Sequence, residues 1–487
     1  TVATQSTSER AAVNALDLPT LPPRIAGGLV PMPPGEVLAV AQEYVEAGRL
    51  DAAERMLRHI LAALPEQPEA LHMLGLVAYR RGDGETAMRL MEQAVARGGT
   101  RPVHWRNLSE VCRVNLRLDR ALVAARRAIA LDPAEALGLF NLAMVYYDRM
   151  ELGPCIASAR AALDLKPDLP QARMKLAQAL LANGELAEGW VHYEWRYRIP
   201  GAAPLMPPVS QPQWDGAPLG GQRLLLVADQ GFGDVIQFAR YLPWVLARCP
   251  TVAVACSPEI LPVLRAMHPE VPLYTRWEAI PPFVAFCALS GLPRLHGTRL
   301  DSIPVPVPYL AAEAPRAAAW KARLDARLPA GAKRIGIAWA GRPTHNNDRN
   351  RSVALAALAP LGRVPGVALV SLQKGPAAAQ IAAGWAGPAP LLDLDSEIAD
   401  FLDTAAIIAN LDLLVTVDTA IGHMAGAMGR PGWIMLPFAP DWRWLAGRAD
   451  TPWYPSLRLF RPAAPRDWDG VVAQVAAALP RFVAGAG

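Results

Sequence analysis

The chain has 487 residues, enough for about three globular units of roughly 150 residues each. Its 52% apolar and 19% charged residues exclude a broadly disordered protein, and its longest apolar runs fall short of the ~20 residues that a membrane span needs. A net charge of +4 is too weak a bias for a nucleic-acid surface, and five cysteines without a CxxC pair exclude a disulfide framework or zinc knuckle and point to a reducing cytoplasm.

Residues 1–33 are rich in Ser, Thr and Pro, lack apolar periodicity and read as a flexible leader, with no charged-then-apolar signal segment. From Pro34 the chain repeats every 34 residues. Leu74, Leu108, Leu142 and Leu176 stand in this register, each followed by a small residue (Gly75, Ser109, Ala143, Ala177). The same shift relates Ala53, Ala87, Ala121, Cys155 and Gly189; it also relates Ala94, Ala128 and Ala162, and Pro65, Pro133 and Pro167. The pattern resembles the tetratricopeptide repeat, two antiparallel helices per unit, with small residues where helices meet and proline after the second helix. About five units cover 34–200, an α-solenoid.

Asn107 and Asn141 precede the repeat leucine and are expected to face the groove. An amide carries both donor and acceptor and can grip a peptide backbone, so the pair resembles the asparagine ladder of O-GlcNAc transferase; two solvated polar residues are the other reading. Met73 and Lys175 fill the neighbouring slots. Trp190, Tyr193, Trp195 and Tyr197 crowd the last unit, with Arg196 at a small-residue position. They are expected to bury against a following domain, or to form a sugar-stacking platform.

A Pro-rich linker spans 201–218. Beyond it, apolar runs alternate with helical stretches: Leu224–Ala228, Val252–Ala255, Ile335–Trp339, Leu369–Leu372, Leu413–Val417 and Trp433–Leu436. Runs buried on both faces predict parallel sheets covered by helices. A second linker near Pro304–Pro315 and a helix at 317–327 divide two Rossmann-like domains, 219–325 and 332–487, and a terminal helix near 468–483 packs back on one of them.

Three loops at strand ends carry candidate chemistry. After the first strand, Gly233-Asp234 precedes a helix starting at about Val235, which makes Asp234 an N-cap or a functional acid at the ligand edge of an open sheet. After Trp339, Arg342, Arg349 and Arg351 lie close together beside His345, a set suited to diphosphate oxygens. After Val417, Asp418 and Thr419 open a small-residue helix containing Ala420 and His423, whose free N–H groups form an anion site.

Together these loops resemble the inverting GT-B glycosyltransferases of the heptosyltransferase type. The resemblance rests on Gly233-Asp234, on Asp418-Thr419-Ala420-Ile421-Gly422-His423, and on the segments 343–352, 437–444 and 453–460. It is closest to bacterial proteins that join tetratricopeptide repeats to such a transferase, some of which glycosylate flagellin, on a plan that parallels O-GlcNAc transferase. The resemblance implies a nucleotide sugar as donor, an acceptor protein held by the repeats at Asn107 and Asn141, and transfer to Ser or Thr hydroxyls. It implies Asp234 as general base and Gly233, Arg349, Arg351, Gln373, Lys374, Asp418, Thr419, Ala420 and His423 around the donor. No cofactor and no metal are expected; the strings Asp393-Leu-Asp395 and Asp467-Trp-Asp469 read as caps before helices. A lipopolysaccharide or saccharide acceptor and an inactive repeat scaffold or chaperone are the alternatives.

Overall fold

The structure, a computed structural model, describes residues 33–199, 209–304, 307–344 and 347–485. The leader (all but Pro33), Pro200, residues 201–208 of the linker and His345 lie outside them. Two compact units are formed, one from 33–179 with 195–199 and the other from 180–194 with 209–485.

Five helix pairs run along the repeats: Pro34–Glu46 with Leu50–Ala63, Pro68–Arg80 with Gly84–Gly98, Pro102–Val114 with Leu118–Leu131, Ala136–Asp148 with Leu152–Leu165, and Pro170–Ala182 with Leu186–Tyr193. Both helices of each pair start 34 residues after those of the pair before. Proline opens four of the five first helices, where its missing N–H costs no intrahelical bond. Pro65, Pro133 and Pro167 each stand two residues beyond the end of a second helix.

The small columns meet inside each pair. Ser109 Oγ donates to the carbonyl of Ala121 at 2.9 Å, and a methyl group on Gly75 would lie 3.2 Å from the Ala87 carbonyl and 2.8 Å from Met91 Cγ. Ala53, Ala87, Ala121 and Cys155 are completely buried. Charge adds a second register: Arg81 pairs with Asp51 at 2.5 Å, and Arg149 pairs with Asp119 at the same offset one repeat back. These exposed pairs are worth only tenths of a kcal/mol. Arg113 differs, being buried while bonded to Glu110 at 2.8 Å and Asp148 at 2.5 Å. Burial opposes its charge, but the two carboxylates more than offset this and hold its pKa well above the usual value.

The aromatic run at the end of the repeats is divided between the units. In the second unit Trp190 is buried edge-on to Trp442, ring centroids 5.2 Å apart, and its indole N–H donates to the Thr298 carbonyl at 3.1 Å. In the first, Trp195 carries the guanidinium groups of Arg173 and Arg198 at 4.3 and 4.4 Å.

The second unit holds two parallel sheets. The first consists of β1 (Leu224–Val227), β2 (Val252–Ala255), β3 (Leu273–Tyr274) and β4 (Ala285–Ala288), in the order β3-β2-β1-β4. The second consists of β5 (Lys333–Ala338), β6 (Val367–Ser371), β7 (Leu391–Asp393), β8 (Leu413–Val417), β9 (Gly432–Met435) and β10 (Leu457–Phe460), in the order β10-β9-β8-β5-β6-β7. The four strands not foreseen from apolar runs, β3, β4, β7 and β10, are the edges of the two sheets. An edge strand is covered on fewer sides and need not be apolar throughout: β10 has Arg458 exposed and β7 ends on exposed Asp393, whereas β3 is only two residues long and β4 is an apolar run that was passed over.

Helix Ala314–Arg327 belongs to the second sheet's lobe rather than to a divider, since the Trp320 indole donates to Asp403 at 3.0 Å and Arg316 pairs with Asp400 at 2.7 Å. Terminal helix Trp468–Val483 closes that lobe, placing Val471, Val475 and Leu479 in a core with Ile335, Val415 and Met435.

Candidate functional site

Strand order reverses direction between β1 and β4 in one sheet and between β5 and β8 in the other. Ligands of open α/β sheets bind outside the carboxyl ends at such points. All three candidate loops leave from strands that flank them.

The loop after β1 is pinned by Asp229, a buried carboxylate that accepts from the Ser290 backbone N–H at 3.1 Å and from its hydroxyl. Helix Phe232–Ala239 then starts three residues earlier than expected, with Gly231 as N-cap, so Asp234 sits inside its first turn. There it forms an ion pair with Arg443. Burial pushes the Asp234 pKa up, Arg443 pulls it back, and the neighbouring Asp441 and Asp229 carboxylates push it up again, leaving it raised.

The same helix packs on helix Ala420–Ala427 of the other lobe. Gly233 makes this approach possible: a methyl group there would lie 2.6 Å from His423 Cδ2 and 3.1 Å from its Nε2. Gln237, one turn further, is fully buried, and neither end of its amide makes a hydrogen bond. Arg240, also buried, donates to the Trp453 carbonyl at 2.9 Å and to the Tyr309 hydroxyl at 3.0 Å. His423 Nδ1 is bonded to the Tyr454 hydroxyl at 3.0 Å. Burial, reinforced by Arg443, lowers the His423 pKa to about 3, so the ring is neutral.

Asp418 follows β8, and Thr419 is the N-cap with extended backbone, so the helix starts at Ala420, one residue later than the expected Thr419. Arg351 reaches across to donate to the Asp418 carbonyl at 3.2 Å. Burial, joined by Asp441, raises the Asp418 pKa to about 6 against the opposing pull of Arg351 and Arg443. Gly233, Asp234, Arg351, Asp418, Thr419, Ala420 and His423 therefore form one cluster, while Arg349 is exposed on the turn that carries Arg351.

Other residues expected around the donor are otherwise engaged. Gln373 is buried; its oxygen accepts from the N–H groups of Trp339 and Ala340, both at 2.9 Å, and its nitrogen donates to the Ala340 and Lys374 carbonyls, both at 3.1 Å. It braces the end of β5 and has no open valence for a donor. Lys374 turns to Asp395, bonding its carbonyl and pairing with its carboxylate at 3.2 Å. Asp467 caps the terminal helix as expected, accepting from Gly470 at 2.9 Å, whereas Asp393 caps only a turn, accepting from Asp395 at 3.0 Å. Among the described residues no group of three or more His, Cys, Asp and Glu side chains is arranged to hold a metal, and no helix is long and apolar enough to cross a membrane.

The repeat asparagines reach back one repeat instead of standing free: Asn107 Nδ2 lies 3.1 Å from His72 Nε2, and Asn141 Nδ2 donates to the Arg106 carbonyl at 3.4 Å. Both are half-buried.

Arg443 and Asp441 were not foreseen, although the segment containing them was noted. Asp441 accepts from Arg443 at 2.6 Å, and the guanidinium stacks on Trp442 at 4.2 Å. Nothing local marks them; only the Pro-Phe-Ala-Pro-Asp-Trp-Arg-Trp string, with its tryptophans on either side of an arginine, hinted at a built loop.

Residues 44–109 match the tetratricopeptide repeat family. The N-terminal helices are tetratricopeptide repeats. Protein FlbA of Caulobacter vibrioides is 28% identical over 482 residues, taking in 89% of this chain and 76% of that protein, so its likeness extends through the α/β region as well. Among solved structures, residues 41 to the end of MamA from Desulfovibrio magneticus are 17% identical, covering 34% of this chain and 94% of that one with a TM-score of 0.32. A thermophilic TPR protein of Thermus thermophilus is 26% identical, covering 34% of this chain and 91% of that one with a TM-score of 0.30.

Proposed function

We propose that the protein is an inverting GT-B glycosyltransferase that moves a sugar from a nucleotide-sugar donor to Ser or Thr hydroxyls of an acceptor protein, flagellin being one candidate, recruited by the repeats. The observation carrying this reading is the meeting of Gly233-Asp234, after β1, with Asp418–His423, after β8, across the contact of the two lobes. In this reading an acceptor hydroxyl oxygen bonds to the anomeric carbon as the bond from that carbon to the diphosphate oxygen breaks. Asp234 takes the hydroxyl proton, and the nucleoside diphosphate leaves with the bonding electrons. Positioned base catalysis of this kind contributes about 10²–10⁴-fold.

Arg351 and the free N–H groups at the start of helix Ala420–Ala427 face the leaving diphosphate, with Arg349 beside them. Neutral His423, oriented by Tyr454, offers hydrogen bonding rather than charge. Half-buried Asp418 can accept from a sugar or ribose hydroxyl. The repeats, whose kind commonly binds polypeptide, take the acceptor along the face that carries Asn107 and Asn141.

A sugar-nucleotide panel tests the reading through thermal stabilisation of the full chain, followed by turnover of the stabilising donor. The expected result is one stabilising donor and a loss of at least about 10²-fold in turnover for Asp234→Asn. A variant with undiminished turnover removes Asp234 from the chemistry.

One observation favours a second reading, a repeat scaffold without catalysis: Asp234 is already held by Arg443, and Gln373 and Lys374 are engaged within the fold. A scaffold need not bind any sugar nucleotide, so the same panel separates the two.

A further inference from the structure

Arg443 occupies a position that the proposed chemistry leaves unexplained. Its guanidinium joins two carboxylates, Asp234 from the β1 side and Asp441 from its own loop, while its Nε is buried with no hydrogen-bond partner. It is also close enough to Asp418 and His423 to act on both electrostatically. It therefore stands between the acid after β1 and the segment that opens helix Ala420–Ala427. The loop that carries it turns back at Leu445, a non-glycine residue at φ 52°. Its guanidinium carbon lies 4.2 Å from the centre of the Trp442 ring, and its N–H groups are its means of exchanging partners.

Two features set the present pairing against the working site. Arg443 commits one oxygen of Asp234 and draws its proton affinity below what burial alone would give, although the net pKa stays raised. A dianionic diphosphate arriving beside Asp418, Asp441 and Asp234 would add negative charge to three carboxylates, with Arg351 and Arg443 as the cations already identified there. Both difficulties vanish if the guanidinium changes partner.

We infer that Arg443 is a transferable clamp, paired with Asp234 in the donor-free protein and handed to the donor's diphosphate on binding, so that the base is released only when a leaving group is in place. This rests on the glycosyltransferase reading and adds regulation of the same site. Asp441 keeps hold of the arginine in both positions, and the unfilled Nε supplies a further donor for phosphate oxygen.

The test is calorimetric titration of the full chain with ADP, GDP, UDP, CDP and dTDP, free of any acceptor. Since Asp234 competes with phosphate for the arginine, Asp234→Asn is expected to tighten binding of the diphosphate that binds wild type, by about fivefold or more. Arg443→Gln is expected to weaken it, and in the Arg443→Gln background the gain from Asp234→Asn disappears. A gain that persists without Arg443 is simple removal of negative charge and overturns the clamp, as does an Asp234→Asn protein that binds no tighter than wild type. If Arg443→Gln does not fold, Arg443→Lys takes its place: an ammonium cannot share separate N–H groups between carboxylate and phosphate in one plane, and the gain is expected to fall below about twofold. A full gain with lysine overturns the clamp. Failure of wild type to bind any of the five diphosphates counts against the transferase itself and takes the clamp with it.

Discussion

Substituting Gly233 by alanine tests the lobe contact on which the site depends. The added methyl would lie 2.6 Å from His423 Cδ2 and 3.1 Å from Nε2. His423 has little room to yield: it is buried, held through Nδ1 by Tyr454 at 3.0 Å, and flanked by the Trp444 ring at 5.3 Å. Overpacking of a filled site costs about 1–3 kcal/mol. Against this, alanine is favoured over glycine within a helix by up to about 1 kcal/mol, and Gly233 is not in the left-handed region. The net expectation is a loss of about 1 kcal/mol, a fall of roughly 2–4 °C in the melting of the second unit by scanning calorimetry. Gly153 is the control, a helix glycine with nothing within 4 Å of an added methyl. Gly153→Ala should leave the melting of the repeats unchanged or raise it slightly. A Gly233→Ala protein as stable as wild type would show that helices Phe232–Ala239 and Ala420–Ala427 do not meet at this residue, and the assembly of Asp234 with the segment after β8 would lose its support.

Gln237→Met removes two buried polar groups without hydrogen bonds while keeping side-chain length, and should raise stability by about 1–2 kcal/mol in urea unfolding; a loss would mean that the amide is satisfied. Arg113→Met leaves Glu110 and Asp148 without their shared cation and should destabilise the repeats by about 3 kcal/mol, read as an earlier loss of helical circular dichroism. Asp418 has a folded pKa raised to about 6, so the folded state binds its proton more tightly than the unfolded state does. Its contribution to stability therefore falls as pH rises from about 4 to about 6 and is flat beyond. Asp418→Asn should lose this slope and gain on wild type by up to about 3 kcal/mol between pH 4 and pH 7, measured by urea unfolding at each pH. Parallel curves for the two proteins would rule out the raised Asp418 pKa.

The repeats were legible in sequence because their packing is local and periodic. A column of small residues 34 apart is a direct record of helices that approach closely at the same place in every pair, and Gly75, Ala87, Ser109 and Ala121 lie where that record puts them. The central strands were legible for a related reason: burial on both faces demands an unbroken apolar run. Edge strands β7 and β10, with Asp393 and Arg458 exposed, escape that demand, whereas apolar β4 carried the same signal as the central strands and was passed over.

The candidate site divides in the same way. Asp234, Asp418, Thr419 and His423 are marked in sequence by strand ends followed by glycine or small-residue helices. Their partners are not marked. Arg443 lies 209 residues from Asp234, Arg240 lies 213 residues from Trp453, and Gln373, an inviting polar residue at a strand end, is consumed by the backbone just beyond the end of β5. Local periodicity fixes which elements form and which loops face the carboxyl edges of the sheets. Which charge meets which acid across those edges depends on how the lobes are brought together, and distance along the chain carries no trace of that meeting.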